Sequence, residues 1–145
     1  MMISAVTCNG RASWSFGNEA ARDAQAMIAR ALESASDLSE IVDIVYAASR
    51  RARAEFGVAG EDAPAFSVLA ALVSESHVEL AWIGDVEARL ECDGEIVVHI
   101  EPHVVVEGAA RAVTRRLPGE RTWERDPFLE RATWTRRPGD RFVHG

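Results

Sequence analysis

The apolar positions of this chain recur with two different periods, and the switches between them mark its elements. Residues 3–8, "ISAVTC", are apolar and β-branched enough for a first strand. "NGRASWSFGN" follows as a loop rich in Gly, Ser and Asn. From Glu19 the period becomes helical: Ala20, Ala24, Met27, Ile28, Ala31, Leu32 and Ala35 fall on one stripe. Asn18 is placed to cap that helix, its side-chain oxygen accepting an amide of the first turn. A second helix starts at "SDLSE", where Asp37 and Glu40 have the spacing of a capping-box variant. Its stripe is Ile41, Ile44, Val45, Ala48, Ala52 and Phe56, and Gly57 is a natural stop because glycine tolerates positive φ. A short link between the two helices predicts an antiparallel pair, and their many alanines suit close packing on a sheet.

From Ala65 the period is that of strands. "AFSVLAALVS" is nearly all apolar, as in a strand covered on both faces. "VELAWIG" and "EARLEC" alternate, and "EIVVHI" follows Asp93-Gly94, a dipeptide suited to a type I′ hairpin turn. The expectation for residues 65–100 is an antiparallel meander of four strands. "EGAARAVTRRL" predicts a short helix or helical turn. "RATWTRRPGDRFVHG" predicts one or two strands broken at Pro-Gly.

Composition narrows the class. The chain has 145 residues, 48% hydrophobic and 27% charged, which predicts a single soluble domain spanning residues 1–145. No apolar run approaches the ~18 residues of a membrane span. The N-terminus lacks a basic region ahead of an apolar one, so a cytoplasmic location is the default. The formal net charge of -7 argues against a nucleic-acid partner. All 16 basic residues are arginine, which removes lysine chemistry altogether. The late clusters "RAVTRRLPGER" and "RATWTRRPGDR" read as charged strand edges and loops, with an anion-binding patch as the alternative.

Cys8 and Cys92 lack CxxC spacing and are expected as free buried thiols. Nothing in the sequence sets a base beside Cys8, as a nucleophile would require. Four histidines, His77, His99, His103 and His144, offer no metal site by spacing. His99 and His103 share a parity, but on one strand they would stand about 13 Å apart at ~3.3 Å per residue. His77 reads as a turn residue. Trp82 reads as core, and Trp14, Trp123 and Trp134 fall in less regular segments, where an exposed Trp beside arginines would serve as a partner anchor.

Four local patterns resemble the PPM-type (phosphatase 2C-like) serine/threonine protein phosphatases. "AWIGDVEARLECDGEI" is similar to that family's hairpin, in which an apolar strand runs into Gly-Asp-Ser-Arg and then to an Asp-Gly turn. Gly84, Asp85, Asp93 and Gly94 match, and Val86-Glu87 replace Ser-Arg. "RAVTRRLPG" resembles a Thr-Arg…Leu…Gly segment through Thr114, Arg115, Leu117 and Gly119. "PGDRFV", containing Asp140, is similar to the lead-in of a strand that ends at a metal-binding Asp-Gly. "AVTCNGRASWSFGNEAA" resembles the Asp-Gly loop before the first long helix, with Gly17 and Ala20 fitting. His103 also matches an Asp-His pair, with Pro102 in place of the Asp. The resemblance spans nearly the whole chain. It implies an α+β fold: an antiparallel β-sandwich core with an antiparallel helix pair on a sheet, a reduced form of the αββα architecture.

The departures bear on function. The family holds two Mg²⁺ or Mn²⁺ ions on bridging carboxylates, which supply a hydroxide and neutralise phosphate. Cys8 and Asn9 stand where the first Asp-Gly is expected, and a thiol suits these hard ions poorly. The family's N-terminal phosphate-binding Arg and its later Asp ligands are expected to lie outside these 145 residues. Asp85 and Asp93 read as turn residues. Cys8, Asn9, Gly84, Asp85 and Asp140 are then residual motif positions, with no catalytic or metal-binding residue and no cofactor expected. The leading expectation is a catalytically degenerate module that binds a protein partner, without nucleic acid or membrane. The alternative is an active divergent phosphatase using Mn or Mg. A third reading is an assembly protein, a homodimer through exposed sheet edges.

Overall fold

The structure, a computed structural model, describes residues 2–10, 17–56, 66–84, 86–100, 104–107, 110–113 and 129–145. The helices come first in the chain after β1 (Ile3–Gly10). They are α1 (Gly17–Leu32) and α2 (Leu38–Phe56). The expected stripes are the buried ones: Ala20, Ala24, Ile28 and Leu32 on α1, and Ile41, Val45, Ala48 and Ala52 on α2. Small alanines at these positions let both helix backbones lie close to the sheet beneath. Asn18 is not the cap, because α1 starts one residue earlier at Gly17. Asp37 does cap α2: its Oδ1 accepts the Glu40 N–H at 2.9 Å and its carbonyl accepts the Ile41 N–H at 3.2 Å. The return bond goes one residue further back than in a standard capping box. Glu40 Oε2 accepts from the Ser36 N–H and from Ser36 Oγ. Gly57 lies outside the described residues.

The strands form two packed sheets. The first has the order β1-β2-β3-β8, with β2 (Phe66–Val73), β3 (His77–Ile83) and β8 (Glu130–Thr135). The second has the order β5-β4-β9, with β4 (Ala88–Cys92), β5 (Glu95–His99) and β9 (Arg141–His144). A separate hairpin joins β6 (Val104–Glu107) to β7 (Ala110–Val113). All pairings are antiparallel.

Two expectations are corrected here. The four strands of residues 65–100 are two hairpins in different sheets, because β3 pairs with β2 and β8 while β4 pairs with β5 and β9. The chain changes sheet after Gly84, whose φ of 93° opens a bend closed to most side chains, and Val86 is fully buried just beyond it. Residues 110–113 are a strand and not a helix. The β-branched run Val104–Val106 supplies a pairing partner at short range, and that pairing outweighs the helical propensity of the alanines. The Asp93-Gly94 turn is as expected, with φ of 52° and 82° at the two residues.

Strand alternation builds two cores from the first sheet. Val68, Ala70, Leu72, Ala81 and Ile83 face the helices. Leu69, Ala71, Val78, Leu80 and Trp82 face the second sheet, where they meet Ala88, Leu90 and Phe142. The near-continuous apolar run of β2 is thereby explained, since both its faces are covered. Among the described residues, no helix is long and apolar enough to cross a membrane.

Candidate functional site

Register fixes which motif positions share an end of the sandwich. His144 pairs with Ala88 and Arg141 with Glu91, so β9 runs away from the Asp93-Gly94 turn. β3 runs from His77 to Ile83 in the facing sheet. One end therefore gathers Cys8 and Asn9 at the close of β1, Gly84 after β3, and the close of β9. There the Glu87 N–H donates to the Gly145 carbonyl at 2.9 Å, and the Gly145 N–H donates back to Glu87 at 3.0 Å. Asp140 lies at the opposite end, about 13 Å along β9 at ~3.3 Å per residue. Asp85 and the side chain of Asn9 lie outside the described residues, as do His103, Thr114, Arg115, Leu117, Gly119, Trp14 and Trp123.

At the first end the two sheets are joined by side chains. Thr7 Oγ1 and His144 Nδ1 form a 2.8 Å hydrogen bond between β1 and β9. The His144 ring stacks on Phe142 at 5.7 Å, and Phe142 meets Trp134 of β8 at 6.3 Å in a tilted contact. Trp134 is thus half-buried and packs against the core between the sheets. No sequence signal pairs Thr7 with His144, which are 137 positions apart.

Cys8 faces the other way. It packs with Val6 against the helix layer, and its backbone N–H donates to Gln25 Oε1 at 3.0 Å. Burial pushes its thiol from 9.0 up to about 12, because a thiolate there would lose its hydration. The thiol is therefore protonated at neutral pH. Cys8 and Cys92 are both free, as expected, but half-buried and not buried.

At the far end Asp140 is 4% exposed and holds a corner together. Its Oδ2 accepts the Arg137 N–H at 2.9 Å. Arg136 Nε donates to the Asp140 carbonyl at 3.1 Å, and Arg136 Nη1 donates to the Ser74 carbonyl of the β2–β3 turn at 3.2 Å. The Asp140 side chain also pushes the nearby Cys92 thiol upward, with burial and the Asp93 charge adding to the shift. Arg136→Ala is expected to cost about 2 kcal/mol in urea unfolding, since it strands these acceptors. Arg136→Lys should recover only part, because an ammonium cannot fork to two carbonyls. An unchanged midpoint would refute the staple.

Two divalent cations need several carboxylate oxygens around them. Among the described residues, no three His, Cys, Asp or Glu side chains come together to hold one. Thr7 and His144 are bonded to each other, and Cys8 is turned into the helix layer. The described residues at this end do not fit a two-metal centre.

No family model and no curated protein matches the sequence. Solved structures do. The chain is similar to the serine/threonine phosphatase PstP/Ppp of Mycobacterium tuberculosis, with a TM-score of 0.77 and 18% identity over 97% of this chain and 66% of that one. It is similar to a Stage II Sporulation E family protein from Thermanaerovibrio acidaminovorans, with a TM-score of 0.72 and 19% identity over 99% of this chain and 72% of that one. A further match is the catalytic domain of PstP in complex with 2 manganese ions, with a TM-score of 0.66, 16% identity and coverage of 97% and 64%. The chain has the PPM-type phosphatase fold in a reduced form, spanning about two thirds of the length of these structures.

Proposed function

We propose that this chain, which has the PPM-type phosphatase fold, is a binding or regulatory module that does not hydrolyse phosphate esters. The observation that carries this reading is the close of β1. Where the resemblance expects a bridging carboxylate, Cys8 presents a protonated, half-buried thiol that faces α1. Among the described residues no cluster of three ligating side chains stands here to offset the hydration that Mn²⁺ or Mg²⁺ would lose on entering. The net charge of -7 supports a protein partner over a nucleic acid. Two free thiols support a reducing, cytoplasmic setting.

The test is hydrolysis of p-nitrophenyl phosphate over a Mn²⁺ titration, with calorimetry on the same samples. The expected result is a rate equal to buffer and no saturable heat of Mn²⁺ binding. Turnover that saturates with Mn²⁺ and is abolished by Asp85→Asn would establish the active alternative instead.

A further inference from the structure

Between β1 and α1 runs an open groove of about 600 Å³, within the ~300–1,000 Å³ of small-molecule sites. Short side chains leave this space. Val6 and Cys8 share a parity and project from β1, and α1 faces them with Ala21, Ala26 and Ala29. The floor is therefore apolar carbon and a thiol that carries no charge at neutral pH.

The polar groups at this groove are hydrogen-bond donors. Asn18, Arg22 and Gln25 stand at i, i+4 and i+7 on α1, which is one stripe of the helix. β1 orients Gln25: its Oε1 accepts the Cys8 N–H at 3.0 Å, which leaves its Nε2 amide to donate elsewhere. Among the described residues Arg22 has no ion pair or hydrogen bond. Its neighbour Asp23 is turned to α2, where Arg51 takes it at 3.2 Å. The described lining holds no Asp or Glu, although the chain has a net charge of -7.

We propose that this groove binds a small monoanion with an apolar body, a medium-chain carboxylate, whose head is held by Arg22. The planar guanidinium fork matches a carboxylate, and the Gln25 Nε2 amide and Asn18 lie on the same stripe to donate beside it. The apolar body lies on Val6, Cys8 and the alanines opposite. One cation suits one negative charge. The second charge of a phosphate monoester would meet no further cation in the described lining, and would stand in the field of a net-negative chain. An extended peptide is a poorer fit, because Gln25 already occupies the Cys8 N–H to which an added strand would bond. The site goes beyond the binding role proposed above and holds whether or not the chain is catalytic.

Titration of the isotope-labelled chain with octanoate, read by amide chemical shifts, tests it. Octanoate should bind with a Kd below about 1 mM and shift amides of β1 and α1, that of Cys8 among them. Octanol, which keeps the apolar body without the charge, should bind about fivefold more weakly. Arg22→Gln should weaken octanoate by about the same factor and abolish its advantage over octanol. Ala26→Glu sets a carboxylate one helical turn from Arg22, where it competes with the ligand, and should weaken octanoate likewise. Arg30→Gln, on α1 but outside the described lining, should leave the Kd unchanged. Circular dichroism melts check that every variant is folded. No saturable shift up to about 10 mM octanoate overturns the proposal. Equal affinity for octanol, or an affinity that Arg22→Gln and Ala26→Glu leave intact, overturns it too. Chemical shifts read this site and phosphate release reads catalysis, so the two proposals fail separately.

Discussion

Leu80→Ala is expected to destabilise the fold by about 3–4 kcal/mol. Leu80 is fully buried in the core between the sheets, in the middle of β3. Its cross-strand neighbours are Ala71 on β2 and Ala132 on β8. Neither has atoms to swing into the space that the missing isobutyl group would leave. The rigid ladders on both sides also stop the backbone from collapsing inward. The cost is therefore a transfer term plus an unrelieved cavity, near the upper part of the usual range. The melting temperature should drop by roughly 10 °C for a chain of this size. Val97→Ala is the contrast: Val97 is 59% exposed on β5, and its loss should stay within about 0.5 kcal/mol. Urea unfolding of both variants decides the matter. A Leu80→Ala loss no larger than that of Val97→Ala would mean that the two sheets do not share a packed face.

The second large effect is a loss of stability at alkaline pH that depends on Cys8. Its thiol titrates near 9.0 when unfolded and near 12 in the folded chain. The folded pKa is raised, so the unfolded chain gives up its proton first. Stability from this group is complete below pH 9 and falls as pH rises from about 9 towards 12. The slope is on the order of 1 kcal/mol per pH unit. Cys8→Ala removes the titrating group. It costs some packing against the helices, but that offset is constant with pH. The gap between the urea-derived stabilities of wild type and Cys8→Ala should therefore change steadily through this window. Two parallel curves would show that the thiol ionises as freely inside the fold as outside it. Such a result would also reopen the close of β1 to chemistry.

Local patterns made much of the fold legible. The α1 and α2 stripes, the Asp37 cap and the Asp93-Gly94 turn each depend on residues within a few positions of one another. The partition into sheets was not legible. "VELAWIG" and "EARLEC" alternate equally well whether they pair with each other or lie in separate sheets. What separates them is the bend at Gly84, where the backbone turns from one layer to the other. The same limit applies to Asp140. Its motif resembles a lead-in to a metal-binding strand, yet the folded chain uses it to tie the β8–β9 corner. Its partner Arg136 reaches Ser74, 62 positions away, which no local pattern announces.

The sequence alone determined most of the elements, residues 110–113 excepted, the α+β class and the uncharged character of the close of β1. These depend on periodicity, turn chemistry and side-chain type, which are properties of short segments. Tertiary structure decided which way each side chain of β1 faces. Thr7 reaches across to His144, and Cys8 lies under the helices. Adjacent residues on a strand point to opposite faces, and only the layers packed on those faces give each one its environment.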